Sequence, residues 1–85
     1  EENLVSQSKV LDLKIGYEHN PAPILEKNGK IYVGSRKGEV VIVDANKFEI
    51  IKVIKLGSSS INGFSIDEKG SVWTSLIEGG IYLLE

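Results

Sequence analysis

Cysteine and methionine are absent from this 85-residue chain, which has only one histidine, one tryptophan and two prolines. Without cysteine the chain can form neither a disulfide bond nor a thiolate metal site, and His19 alone cannot provide a zinc cluster. Neither sign of charge is in large excess: ten basic and twelve acidic side chains, spread along the sequence, leave a formal net charge of −2. We therefore expect no metal, no cofactor and no nucleic-acid partner, because nucleic-acid binding requires clustered Lys and Arg.

Long hydrophobic runs are also absent. No apolar segment approaches the roughly 18 residues that a membrane-spanning helix needs, so we expect no membrane partner. The chain does contain nine glycines together with many Val, Ile and Tyr residues. That composition favours short β-strands joined by tight turns, and the length suits one small domain or a piece of a larger one.

The sequence aligns with itself at an offset of 41 residues. Residues 28–44 lie over residues 69–85 without a gap, and the same register continues upstream. Glycines, aromatics and strand-like runs all stay aligned, including Gly29 with Gly70, Gly38 with Gly79, and Tyr32 with Trp73. Self-similarity at a fixed period of this length is typical of repeat architectures. The sequence therefore predicts two copies of one structural unit.

Each unit predicts four short strands separated by turns. The first unit would contain strands at Pro23–Lys27, Lys30–Ser35, Glu39–Asp44 and Glu49–Leu56, and the second at Phe64–Glu68, Ser71–Leu76 and Gly80–Glu85. Glycine suits the hairpins at Gly38 and Gly79 because such turns need a residue with positive φ. No stretch shows sustained apolar spacing at three and four residues. We therefore expect an all-β fold of seven or eight strands with no helix.

The order of the strands is permuted relative to the repeat. Lys9–Ile15 matches the fourth strand of the first unit, whereas the second unit stops after its third strand. We expect residues 1–7 to be an N-terminal extension and residues 8–85 to be a two-unit segment, with units at about 8–48 and 49–85. Such an offset closes the ring of a β-propeller when an N-terminal strand completes the last sheet.

Two stretches resemble the blades of known propellers. Residues 23–44 resemble a blade of the quinoprotein-like (PQQ-like) propellers, and residues 67–83 resemble a blade of the two-component-regulator sensor propellers. The second pattern is an acidic residue, a glycine, an aromatic and then a double glycine, here Asp67, Gly70, Trp73 and Gly79-Gly80. The resemblance covers about residues 8–85 and implies a β-propeller segment of two four-stranded antiparallel meander blades.

Quinone chemistry is not expected from this resemblance. The quinone-binding adjacent cysteines of that family cannot exist in a chain without cysteine. The glycine and tryptophan that dock one quinoprotein blade against the next are also missing from residues 44–52. A quinone-dependent dehydrogenase is therefore disfavoured.

Catalytic residues are not expected either. His19 has no partner that would make it a general base, and the serines at 58–60 have no accompanying histidine and acid. Tyr32 and Trp73 could form a stacking surface for a sugar or a peptide, but aromatics in repeated strands more often pack between adjacent sheets. We predict that the chain is not an enzyme.

Two units alone would leave two apolar sheet faces without a neighbour. The alternating positions predicted to lie on them are Ile31, Val33, Val41, Val43, Ile81 and Leu83. Apolar faces of this size mark interaction sites in soluble proteins. We expect the missing neighbours to be the remaining blades of a longer propeller or further copies of this chain.

The loops that join fourth to first strand and second to third strand lie on one face of a propeller. The residues predicted for that binding face are Tyr17, His19, Asn20, Arg36, Lys37, Ser59, Asn62 and Glu78. Our leading hypothesis is a non-catalytic ligand- or protein-binding module, a fragment of a larger bacterial sensor or scaffold protein in an extracytoplasmic compartment. The alternative is an accessory propeller segment of a multidomain enzyme that acts on phosphoesters or polysaccharides.

Overall fold

The computed structural model of the chain describes Leu11, Leu13 and residues 22–84. The described residues form seven strands: β1 Ile24–Lys27, β2 Lys30–Gly34, β3 Glu39–Asp44, β4 Glu49–Lys55, β5 Ile61–Ile66, β6 Val72–Leu76 and β7 Ile81–Leu84. None of the described residues is helical, so no described helix could cross a membrane. The prediction of an all-β chain is confirmed.

The seven strands make two antiparallel sheets in simple meander order. The first sheet is β1-β2-β3-β4, and the second sheet is β5-β6-β7. They do not close into a barrel or ring. Each sheet contains one bulge, at Ile51 where β4 pairs with β3, and at Asn62 where β5 pairs with β6. An extra unpaired residue of this kind bends the strand and increases its twist.

One hydrophobic core lies between the two sheets. Its buried members come from both of them: Val40 and Ile42 from the first sheet, and Ile61, Val72, Leu76 and Leu84 from the second. The rings of Tyr32 and Phe64 meet across the same interface, with centroids 6.2 Å apart and planes tilted by 55°. Full burial of an aliphatic side chain contributes about 1.5–3 kcal/mol, so this shared core holds the two sheets together.

The strand boundaries differ from the predicted ones mainly in β5. The sequence predicted a strand at Phe64–Glu68, whereas β5 begins at Ile61 and ends at Ile66. The chain turns after Ile66: the amide of Gly70 donates to the carbonyl oxygen of Asp67 at 3.0 Å, and the Asp67 carboxylate accepts hydrogen bonds from the amides of Lys69 and Ser71. The strand predicted at Lys9–Ile15 lies outside the described residues, apart from Leu11 and Leu13.

Each sheet has an outer face, which points away from the shared core. The sequence predicted that both outer faces would expose apolar side chains, and this holds for the second sheet but not for the first. Ile81 and Leu83, on the second sheet, are 76% and 43% exposed, as expected for an uncovered face. The prediction is wrong for Val33, Val41 and Val43 on the first sheet, because all three are buried. Only the rim of that face is exposed, at Ile24, Ile50 and Val53. Strand alternation assigns a residue to a face but does not determine whether that face is covered.

A candidate binding surface at the loop end

Three connections from the two sheets meet at one end of the molecule. They are the β2–β3 turn at 35–38, the β4–β5 loop at 56–60 and the β6–β7 turn at 77–80, which together we call the loop end. The amide of Ile77 donates to the carbonyl oxygen of Ser60 at 3.0 Å, and the amide of Glu78 donates to Ser59 Oγ at 3.2 Å. The Ser60 hydroxyl donates to the carbonyl oxygen of Arg36 at 3.4 Å. The β4–β5 loop therefore bridges the other two turns.

Glycine lets the β2–β3 turn and the β4–β5 loop approach each other closely. Gly38 has a φ of +80°, and a Cβ placed on it would lie 2.4 Å from the carbonyl oxygen of Gly57. In return, the carbonyl oxygen of Gly38 accepts the amides of Leu56 at 2.8 Å and Gly57 at 3.4 Å. A side chain at position 38 would separate these backbones, so the loop end depends on glycine there.

Ser35 fixes the shape of the β2–β3 turn from inside. Its side chain is completely buried, and its Oγ accepts the amides of Lys37 at 3.1 Å and Glu39 at 3.0 Å. Its carbonyl oxygen accepts the amide of Ile61 at 2.9 Å, which ties the turn to the first residue of β5. A buried hydroxyl that accepts two amides of the same turn stabilises the conformation of that turn. Arg36 and Lys37 are exposed on the outside of it.

Both signs of charge are present at the loop end. Arg36 and Lys37 come from the first sheet and Glu78 from the second, and all three are exposed. Lys55 Nζ, at the end of β4, donates to the carbonyl oxygen of Lys37 at 2.7 Å. The surface therefore presents guanidinium, ammonium and carboxylate groups beside serine hydroxyls, a set suited to polar recognition.

The predicted site residues divide into three groups. Arg36, Lys37, Ser59 and Glu78 are brought together at the loop end. Tyr17, His19 and Asn20 lie outside the described residues. Asn62 was predicted to be a loop residue, but it lies within β5 as the unpaired residue of the bulge. There it lines a different feature, a trough on the outside of the second sheet.

That trough lies on what we call the outer face of the second sheet. Strand alternation places six residues on this face: Gly63, Ser65, Trp73, Ser75, Ile81 and Leu83. The trough is shallow and open, has a volume of about 340 Å³ and is lined by no charged side chain. Trp73 lies here, whereas Tyr32 packs against the core on the inner side of the first sheet.

Asp67 holds the Trp73 indole in place, a role that sequence reasoning missed. Trp73 Nε1 donates to Asp67 Oδ2 at 2.8 Å, while Asp67 Oδ1 accepts the amides of Lys69 and Ser71 at 2.9 Å each. These donors, the indole first, keep the pKa of Asp67 below its ordinary value of 3.8. An Asp three residues before a turn glycine is the local signal for the amide contacts; the indole contact depends on strand pairing and has no local signal.

The acidic residues form no metal centre in the described part of the chain, where no three His, Cys, Asp or Glu side chains converge. Asp44 acts like Asp67: its Oδ1 accepts the amides of Asn46 at 2.8 Å and Lys47 at 2.9 Å. The Lys47 and Asn46 amides, in that order, lower the pKa of Asp44. Both carboxylates therefore have a structural role in closing turns.

Comparison with known proteins yields no match. The chain is not significantly similar to any protein-family profile, any curated protein or any solved structure.

Proposed function

We propose that this chain is a non-catalytic binding module that recognises a polar ligand or protein segment at the loop end. The observation that carries the proposal is the convergence of three connections from two sheets, joined by the hydrogen bonds of Ser59 and Ser60. Loops held by a rigid β-scaffold are where binding residues concentrate in proteins. Arg36, Lys37 and Glu78 are the side chains we assign to recognition.

We further propose that the module is a propeller-type segment of two consecutive units. Support comes from turns 41 residues apart that use the same backbone conformation: φ is +80° at Gly29 and +85° at Gly70. Acidic side chains at the same spacing accept turn amides, Glu26 from Gly29 and Asp67 from Lys69 and Ser71. The meander order of both sheets agrees with a propeller blade.

The faces through which the two sheets pack also favour a propeller over a two-fold symmetric pair of sheets. In the predicted register Tyr32 is equivalent to Trp73, yet Tyr32 faces the second sheet and Trp73 faces away from the first. One face of the first unit therefore packs against the opposite face of the second unit. This head-to-tail relation, repeated, is how successive blades of a propeller are stacked.

The binding proposal can be tested with glycan and peptide arrays probed with the labelled chain. The test variant is Arg36→Ala/Lys37→Ala/Glu78→Ala at the loop end. The control is Lys47→Ala/Lys69→Ala/Glu68→Ala, which removes the same number of basic and acidic groups from exposed turns at the opposite strand ends. We expect the test variant to lose the array signal by at least about tenfold, and the control to keep it within about twofold.

Two results would contradict the proposal. Either array signals are absent for the wild-type chain, or both variants lose them equally. Substrate turnover that follows the purified chain through every fraction would overturn the non-catalytic part of it.

A further inference from the structure

We propose that the chain segment carrying Leu11 and Leu13 covers the outer face of the first sheet and closes that face to any neighbouring sheet. The surface is distinct from the loop end. The starting point is strand β3, which is buried on both of its sides, although only one side faces the second sheet. Val41 and Val43 point away from the second sheet, and each is nevertheless only 3% exposed.

The cover over this outer face is narrow. Ile24, Val33, Val41 and Val53 are paired on successive strands and form one row across the face. The two central valines of the row are 7% and 3% exposed, whereas Ile24 and Val53 at its ends are 65% and 52% exposed. Adjacent strands lie about 4.8 Å apart, so a cover that reaches the two central strands but not the outer two is about as wide as one extended segment. A second sheet would cover the whole row.

The described strands and turns do not supply this cover. The second sheet packs on the opposite face of the first sheet, through the core that contains Val40 and Ile42. Between residues 22 and 84, everything outside the two sheets is a connection of two to five residues at a strand end. Such short connections do not reach Val41 in the middle of β3. The burial is present in the single chain, so the cover belongs to the same molecule.

Leu11 and Leu13 have the properties that the cover requires. Both are partly buried and neither belongs to a strand, so their burial comes from packing, and neither of them extends the second sheet beside β7. They are separated in the sequence by Asp12. This alternation is typical of an extended segment with one apolar side, on which both leucines would lie.

The length of chain before β1 permits this placement. Leu13 precedes Ile24, the first residue of β1, by eleven residues, and a chain of that length spans at most about 36 Å. The six residues of β3 make the face only about 20 Å long. The leucines can therefore reach any point on it.

A covered outer face limits how this chain can join a stack of units. The two sheets of the molecule pack directly on each other through their inner faces, and a further sheet could pack on the first one only after the leucines leave its outer face. The segment therefore acts as a cap, the device that keeps an end face of a repeat protein from water and from other units. This consequence rests on the proposed two-unit segment, whereas the cover itself does not.

The first experiment is nuclear magnetic resonance of the wild-type chain with labelled methyl groups. We expect nuclear Overhauser effects from the methyl groups of Leu11 or Leu13 to those of Val41 or Val43, because side chains in packing contact have carbon atoms about 4–4.5 Å apart. Leucine contacts that go to Ile81 instead, or to no valine of the outer face, would overturn the inference.

The second experiment uses a variant that releases the cover. In Leu11→Asp/Leu13→Asp a soluble paramagnetic probe should reach Val41 and broaden its methyl signals as strongly as those of Val53, which is 52% exposed in the wild-type chain. Val40, on the same strand but facing the core, should stay protected. That difference separates release of the cover from unfolding of the chain.

The matched control is Ile81→Asp/Leu83→Asp, which adds the same two charges to the outer face of the second sheet and should leave Val41 protected. Protection of both Val41 and Val40 in Leu11→Asp/Leu13→Asp would contradict the proposal. If both valines become accessible in that variant, the chain has unfolded, and the contacts measured in the wild-type chain decide.

Failure here is separable from failure of the proposed function. The variant Leu11→Asp/Leu13→Asp leaves the loop end intact and should keep the array signal. The triple alanine variant at the loop end should in turn keep Val41 protected from the probe.

Discussion

At the scale of single residues, side-chain oxygens and glycines determine the turns of this chain. Ser35, Asp44 and Asp67 each accept two backbone amides in a turn. Such local contacts satisfy amides that no strand partner reaches. Asp67 also accepts a hydrogen bond from the indole N–H of Trp73. It therefore connects a turn to the outer face of the second sheet.

Acid should therefore release Trp73 from its position. The pKa of Asp67 is below 3.8 in the folded chain, so its contribution to stability is fully present above the unfolded value of about 3.9 and is lost as the pH falls through the folded pKa. We expect Trp73 emission to change with an acid midpoint below 3.8, and Asp67→Asn to remove that transition. The conservative control is Asp44→Asn, which should leave it in place. A midpoint at or above 3.8 in the wild-type chain would contradict the assignment.

At the scale of elements, the tight contact between the β2–β3 turn and the β4–β5 loop is the feature most sensitive to substitution. Gly38 and Gly70 have nearly the same φ, +80° and +85°, but different surroundings. A Cβ on Gly38 would lie 2.4 Å from a backbone oxygen, whereas one on Gly70 would lie 3.7 Å from the flexible end of Lys27. Alanine substitutions at these two glycines therefore separate two contributions to the free energy of unfolding: the strain of a positive φ in a residue with a Cβ, and the clash with a neighbouring backbone.

Gly70→Ala should lower the free energy of unfolding by about 1–2 kcal/mol, the cost of positive φ in a residue with a Cβ. Gly38→Ala should cost that amount and about 1–3 kcal/mol more, because the two backbones must move apart. Urea denaturation of both variants measures the difference. Equal losses would show that the loop end is looser than the structure indicates.

At the scale of the whole molecule, the shared core makes the two sheets one cooperative unit. Val40 is completely buried in the first sheet and belongs to the cluster that includes Leu76 and Leu84 of the second. Trp73 lies in the second sheet. A change in the first sheet should therefore be visible at the tryptophan of the other sheet.

Val40→Ala should lower the free energy of unfolding by about 2–3 kcal/mol, about 1.6 kcal/mol from the two lost methyl groups and the rest from the cavity. The control Val53→Ala, at a position 52% exposed, should cost less than about 1 kcal/mol. Both are measured by thermal unfolding followed through Trp73 emission and through far-ultraviolet circular dichroism. A Trp73 transition that does not move in Val40→Ala, while the dichroism transition does, would show that the sheets unfold separately.

Local sequence patterns were sufficient to predict most of the strands and turns. Strand β3 begins and ends where the sequence predicted, at Glu39 and Asp44, because an apolar run between turn formers is a local pattern. The positive φ of Gly38 and Gly79 was likewise predicted from hairpin chemistry. Strand β5 was misplaced by three residues at its start because Gly63 and Asn62 resemble turn residues, while the pairing of Ile61 with Leu76 extends the strand through a bulge.

The sequence by itself determined that the chain is all-β, where most strands lie and which turns need glycine, since each of these depends on neighbours within a few residues. Only the tertiary structure decided which faces are covered. Tyr32 and Trp73 are equivalent in the predicted register, yet one packs in the core and the other lies on an outer face. The meeting of Arg36, Ser59 and Glu78 was predicted only by analogy with propellers, and its geometry depends on contacts between residues distant in sequence. The physical reason is that alternation defines two faces of a strand, whereas burial of either face depends on which sheet packs against it.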